Sequence, residues 1–542
     1  MSDVLDAVRE ASAAGEWDSA VRLAEQVPPG RRSPELLEEL ARAHWWRGDV
    51  RASLRSRDEA FTGYRDRGDR DAAVMVAVDL CVVWMTNLEN EVAARGWVAR
   101  ARRLVGTTDQ GVGGWLTLLE GYLASDAETG HQLLARALDV GRAGADRDLE
   151  LVALADLGLA AVMAGQVDEG MALLDEALAG VVGGDYRRLE TFVWNTCSML
   201  AACATVGDQR RAAQWCLAAD RFQATYGCPF LQARCRSHYG AVLVGSGRWP
   251  EAEAQLVQAL AMAQDLGRQP HVEALAALAE LRLRQGSPEA ADALLASVED
   301  TLPVAVTLAR LHLVQGNPSR AVSVLRACLD RIGDTGPQSH AATAILVEAL
   351  VASRRLEDAR RVAEHLGHDA EVASYPQASS LAARAAGLVA AAVGDPAAAR
   401  QHLSAAVQGF VRLDLPFEAA RTRLDLARIV ETDDPDLAAS EASTAHGVLQ
   451  RLGAITDADA AAALLRRLGV ATRPGPRSAN ALTTRERQVL ELLELGLSNP
   501  QIADRLCLSR KTVAHHVSSI LTKLGLSSRA QAAAWAARRT GS

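Results

Sequence analysis

QGNPSRA, residues 315–321, sets a glycine, a polar residue and a proline between two apolar stretches of helical period. Glycine takes the left-handed conformation that ends a helix. Asn317 can cap the helix that follows, and Pro318 suits that helix's first position. Ala321 stands five positions after the glycine, and a side chain that small lets two helices approach closely. The phrase specifies a tight helical hairpin.

It recurs. AGEWDSA (14–20), RGDVRAS (47–53), AGQVDEG (164–170), VGDQRRA (206–212), SGRWPEA (246–252), QGSPEAA (285–291) and VGDPAAA (393–399) repeat the same order of residue types. Ser287 and Asp395 take the capping place, with Pro288 and Pro396 after them. Glycine-to-glycine spacings are 33, 42, 40, 39 and 30 where consecutive phrases are clear. The 117 residues from Gly48 to Gly165 fit three units, and the 78 from Gly316 to Gly394 fit two. Stacked helix pairs of this length form a superhelical solenoid. The composition agrees: Ala, Leu and Arg abound and aromatics are 4% of 542 residues, which favours helix over strand.

Hydrophobic residues make up 49% of the chain and charged residues 23%, enough apolar material for a large buried core. No apolar run reaches the ~18–20 residues a bilayer requires. The opening MSDVLDAVREASAAGEW carries acids and no apolar signal core, so it is not read as a secretory leader. Eight cysteines without a CxxC pair do not make a disulfide framework. The expectation is a cytoplasmic protein with free thiols.

The chain's text changes after ATRPGPRSAN (471–480), a linker by composition. The expected organisation is a helical-repeat body at 1–469, a linker at 470–481 and a small domain at 482–542. From Leu482 onward the net charge is +5, against −14 for the rest, so a polyanion would meet only this tip. Thr483 with Glu486, and Ser498 with Gln501, stand at capping-box spacing. Ser509 caps RKTVAHHVSSILTKLG, and Ser527 precedes RAQAAAWAARR, giving four short helices. In the third, Val513, Val517, Ile520, Leu521 and Leu524 share one face. Lys511, His515, Ser518, Ser519 and Thr522 share the other, with no acid among them, and the two lysines of the whole chain are Lys511 and Lys523. A helix face free of carboxylates is one that a major groove accepts.

The segment as a whole is similar to the LuxR-type helix-turn-helix domain of bacterial transcription regulators. The matching residues are Leu482-Thr483, Arg485-Glu486, Val489-Leu490, Gly496, Ser498-Asn499, Ile502-Ala503, Leu506, Ser509, Lys511-Thr512-Val513, His516-Val517, Lys523-Leu524 and Arg529. The resemblance implies that Lys511, Thr512, Ala514, His515 and Ser518 face bases or nearby backbone. It implies that Arg510 and Lys523 face phosphates, that His516 is structural, and that the helix from Arg529 to Ala537 is a dimer surface. Two departures are Pro500-Gln501, where the family often has a charged pair, and Ala514, where it often has Lys or Glu. The body resembles tetratricopeptide repeats in a longer-helix form. It also resembles the repeat region of large regulators that begin with an ATPase, but a P-loop needs a lysine and none precedes Lys511. The implied fold is therefore all-α, a tetratricopeptide-like α-solenoid followed by a four-helix LuxR-type helix-turn-helix domain, in an ATPase-less relative.

No GxSxG, HExxH or GxGxxG occurs, so neither an enzyme nor a cofactor site is expected. Cys197, Cys203, Cys216, Cys228 and Cys235 crowd one region near His238, but their spacing matches no zinc pattern, and core packing is the simpler reading. Cys507 is expected to be buried. Trp45, Trp46, Trp84, Trp97, Trp115, Trp194 and Trp215 read as core more readily than as a ligand surface. The leading expectation is a regulator that binds double-stranded DNA as a homodimer, controlled by a protein, peptide or small-molecule effector on the repeats. Two alternatives stay open: a protein-interaction scaffold, and a thiol- or metal-responsive regulator using the Cys197–Cys235 region.

Overall fold

A computed structural model of the protein describes residues 2–88, 90–106, 108, 110–263, 268–373, 375–470, 484–506, 508–524 and 528–540. Among these residues there is no strand, and no helix is long and apolar enough to cross a membrane. The chain forms two compact units, Met1–Ala461 and Ala462–Ser542.

The first unit is a run of twelve antiparallel helix pairs, from Ser2–Ala13 with Trp17–Glu25 to Pro416–Ile429 with Pro435–Leu452, after which the helix Ile455–Arg467 begins. Every quoted phrase lies at the turn inside a pair. Gly15, Gly48, Gly165, Gly207, Gly247, Gly286, Gly316 and Gly394 all have positive φ, as hairpin turns require. The small residue five places on is buried in each case, Ala321 and Ala399 among them. At Gly170 the reason is geometric: an added Cβ would lie 2.4 Å from the carbonyl oxygen of Gly158 on the partner helix. The caps are mixed. Asp395 accepts from the Ala398 N–H at 3.0 Å, whereas Ser287 and Asn317 make no side-chain cap bond and leave helix initiation to their prolines.

The turns the phrase does not mark account for the double and triple spacings. They lie at Asn87–Asn90 and Leu123–Asp126, without glycine, and at Ser353–Arg355, where Arg354 adopts φ +57° in the glycine's place.

The glycines also serve a longer-range contact. Gly15, Gly207 and Gly286 lie against Thr225–Tyr226, Gln377 and Thr456, in each case in the pair or helix five further on. The superhelix therefore closes on itself every five pairs. At the first such closure Trp17 donates to the Tyr226 carbonyl at 2.5 Å and stacks on Trp46, which in turn packs on Phe222. A Cβ on Gly15 would sit 2.6 Å from the Thr225 carbonyl oxygen, while one on Gly316 would meet nothing within 4 Å. Gly316→Ala is thus expected to cost only the left-handed strain, about 1–2 kcal/mol. Gly15→Ala adds overpacking of about 1–3 kcal/mol. Denaturant unfolding of the two variants checks the order, and equal losses would contradict it.

The inner helices of the second half carry a buried ion network. Arg384 bonds Glu348 and reaches Asp425 at 2.9 Å, and Arg421 lies 3.7 Å from Glu348. Arg284 bridges Glu280 at 2.8 Å and Glu418 at 3.0 Å. Burial pushes the Glu348 and Glu418 carboxyls up, but the surrounding guanidiniums outweigh it and hold both down at about 2.

Candidate nucleic-acid interface

Four helices of the second unit carry the candidate site: Thr484–Glu494, Asn499–Leu506, Arg510–Leu524 and Arg529–Thr540. Their shared core contains Val489, Leu493, Ile502, Val513, Val517, Ile520 and Ala532. The apolar face expected of the third helix is therefore the buried one. Leu495, counted with the apolar set of the first helix, is instead 67% exposed.

Side-chain bonds fix the angle between these short helices. Gln501 Oε1 accepts from the Ser498 backbone N–H at 2.8 Å and its hydroxyl at 2.7 Å, which starts the second helix as its capping-box spacing predicts. Ser509 Oγ accepts from the Thr512 N–H at 3.0 Å and starts the third. Arg485 donates to Gln488 at 2.8 Å and to the Leu506 carbonyl, closing the C-terminal end of the second helix. Arg529 donates to Asn499 Oδ1 at 2.6 Å and to the Leu497 carbonyl, so it locks the fourth helix onto the first turn of the motif. Glu486 is buried and accepts from Ser519 Oγ at 2.6 Å. Its expected partner Thr483 lies outside the described residues, as do Cys507 and, from 471, the linker.

The third helix presents Arg510, Ala514 and Ser518 to solvent, one turn apart along one face, over the buried Val513, Val517 and Ile520. Ser519, expected on that face, turns inward to Glu486, because successive residues step about 100° around the helix and 519 lies at the edge of the exposed arc. Thr512 is half-buried, its hydroxyl 2.7 Å from Ser509 Oγ, so it belongs to the cap as much as to the outer face. His516 is half-buried. Lys511, His515 and Lys523 fall within the helix, but their side chains lie outside the described residues. The structure thus brings Arg510, Ala514 and Ser518 together. The bonds of Arg485, Glu486 and Arg529 join residues far apart in sequence, which spacing alone does not disclose.

In the first unit, the cysteine region has the geometry of a core. Cys203, Cys216, Cys228 and Cys235 are buried, and no group of three metal-ligating side chains occurs among the described residues. Burial pushes the Cys197, Cys203, Cys216 and Cys235 thiols up, to about 12 for Cys216, so little reactive thiolate is present near neutral pH.

Residues 480–536 match the family model described as bacterial regulatory proteins, luxR family. The DNA-binding transcriptional activator DevR/DosR of Mycobacterium tuberculosis is 49% identical over 83 residues, which are 15% of this chain and 37% of that protein. The nitrate/nitrite response regulator NarL of Escherichia coli K12 is 48% identical over 59 residues, 11% of this chain and 27% of its own length. The HTH-type transcriptional regulator Mb0914c of Mycobacterium bovis is 44% identical over 88 residues, 16% of this chain and 10% of its own length. The chain thus spans well under half the length of these relatives. A chain of the APC/C hetero-tetramer Cut9–Hcn1 is similar at a TM-score of 0.43 and 14% identity, covering 85% of this chain and 95% of that one. Helices joined through Arg485, Ser509 and Arg529, with an acid-free face on the third, give the segment that matches the luxR family, residues 480–536, the build of a helix-turn-helix domain, which follows a solenoid of antiparallel helix pairs.

Proposed function

We propose that the protein is a cytoplasmic transcription regulator whose domain at 482–542 binds operator DNA as a dimer, joined by a linker at 470–481 to a repeat body at 1–469 that receives an effector. The observation that carries this reading is the outer face of Arg510–Leu524, where Arg510, Ala514 and Ser518 stand exposed without a carboxylate between them. The transcriptional regulators similar over this segment support it. Arg510, Lys511 and Lys523 anchor phosphates, which sets affinity and register. Thr512, Ala514, His515 and Ser518 face bases or the adjoining backbone, which sets sequence preference. Small side chains at 514 and 518 let the helix lie deep in the major groove. The reaction is binding alone, and no catalytic step is assigned.

Lys511→Ala tests the division of labour. Loss of one phosphate contact weakens binding to every duplex alike and lowers the slope of log affinity against log salt by roughly one. Gel shifts of the full chain over a salt series read this directly. An unchanged slope removes Lys511 from the phosphate contacts, and failure of the unaltered chain to retain any duplex removes the reading itself.

A further inference from the structure

The inner face of the first unit changes character along the chain. Its second half carries the ion network described above, and its first half sets tryptophans beside arginine–carboxylate pairs. There the first helices of consecutive pairs, Pro34–Trp46, Arg70–Thr86, Gly113–Tyr122, Arg147–Met163 and Leu189–Val206, surround a cavity of about 130 Å³. Cavities near 150 Å³ with apolar walls hold a benzene ring. Val78, Val82, Val152 and Leu159 supply apolar wall, and Trp45, Trp115 and Trp194 line the same cavity.

Those rings are held in place. Trp45 donates its ring N–H to Asn87 Oδ1 at 3.2 Å, Trp115 to Asp146 Oδ2 at 2.9 Å and Trp194 to Asp156 Oδ1 at 2.8 Å. Tyr122 meets Trp194 edge-on at 6.1 Å and remains 46% exposed. Rings fixed before a ligand arrives lose little freedom when it binds, which favours affinity.

The charges on the wall select among ligands. Arg188 bonds Asp79, Arg57 lies 3.9 Å from the same carboxylate, and Glu190 faces Arg42 at 3.5 Å. Arg234 also lines the cavity, yet its ion pair is with Glu273 at 3.6 Å, and its buried Nε has no hydrogen-bond acceptor. A buried donor left unmatched is costly, and an acceptor delivered by a ligand removes that cost. These charges are already paired with one another, so the preference for an anion rests on the unmatched Nε of Arg234.

We propose that this cavity is a binding site for a small aromatic anion of one ring, the ring seated among Trp45, Trp115 and Trp194 and the carboxylate on Arg234. The proposal rests on the reading of the repeat body as the part that receives an effector, and it names the chemistry of that effector.

Calorimetry of the full-length protein without DNA tests it, using benzoate, benzyl alcohol and benzylamine, which share one ring and differ in charge. One equivalent of benzoate is expected to bind, at least about tenfold more tightly than benzylamine, since one charge-assisted contact gives that much. Arg234→Gln brings benzoate down to the level of benzyl alcohol, and Trp194→Ala weakens both of these. If Trp194→Ala fails to fold, Arg234→Gln decides alone. Absence of heat with all three probes, equal binding of benzoate and benzylamine, or an unchanged preference in Arg234→Gln overturns the proposal. Duplex binding is measured separately: uptake of benzoate by a protein that retains no duplex would sink the regulator reading and leave the site standing.

Discussion

Ser518→Glu is expected to lower affinity for the preferred duplex by about two orders of magnitude while leaving the fold intact. Ser518 is exposed, two helical turns beyond Arg510 and one beyond Ala514, on the face that enters the groove in the proposed reading. A carboxylate there meets phosphates on both sides and has no cation on its own helix face to answer it except near the ends. Like-charge contacts in an interface cost several kcal/mol, which corresponds to the expected loss. Exposed helical substitutions away from caps and core change stability by about 0.5 kcal/mol or less, so thermal unfolding stays close to that of the parent. Ser518→Lys is the companion variant, since it adds a cation to the same place and should strengthen binding to all duplexes. Gel shifts that place the Glu and Lys variants together would show that this face does not meet DNA.

Arg384→Ala has the largest expected effect on stability. Its guanidinium is buried between Glu348 and Asp425, and without it both carboxylates stay desolvated with weaker opposition. Breaking a buried ion pair from one side costs about 3–5 kcal/mol. The pH dependence follows from the same groups. The folded values of Glu348 and Glu418, at about 2, lie below the ordinary 4.5, so their stabilisation is complete above 4.5 and is lost as pH falls toward 2. Denaturant unfolding across that window should show the unaltered protein losing stability steeply, and Arg384→Ala losing less because Glu348 no longer starts from so low a value. Parallel curves would mean that Arg384 does not hold Glu348 ionised.

The recurring glycine phrase disclosed most of the solenoid because each copy codes a local event, a helix end followed by a helix start. Turns without glycine, at Asn87–Asn90 and at Arg354, stayed hidden because capping and a strained φ perform the same task with other residues. Closure every five pairs was not legible, since Gly15 and Tyr226 meet only through the accumulated twist of the intervening helices. In the second unit, apolar period identified Val513, Val517 and Ile520 as inward and Ser518 as outward, while Arg510 and Ala514, exposed as well, were singled out only by the family resemblance. It misplaced Ser519, because a polar residue at the edge of a helix face follows its partner, here Glu486, whose burial only the folded domain reveals. The tryptophans show the limit of composition most clearly. Trp45 and Trp46 are both buried as core reasoning expects, yet Trp45 and the half-buried Trp194 also line a cavity formed by helices far apart in sequence.

The most direct test is a selection from a random duplex pool with the full-length protein at moderate salt, followed by affinity measurements on the enriched and scrambled sequences. Enrichment of one motif, bound at least about a thousandfold more tightly than its scrambled form, is the predicted result. Retention of all duplexes alike, with no more affinity than for heparin, would contradict it.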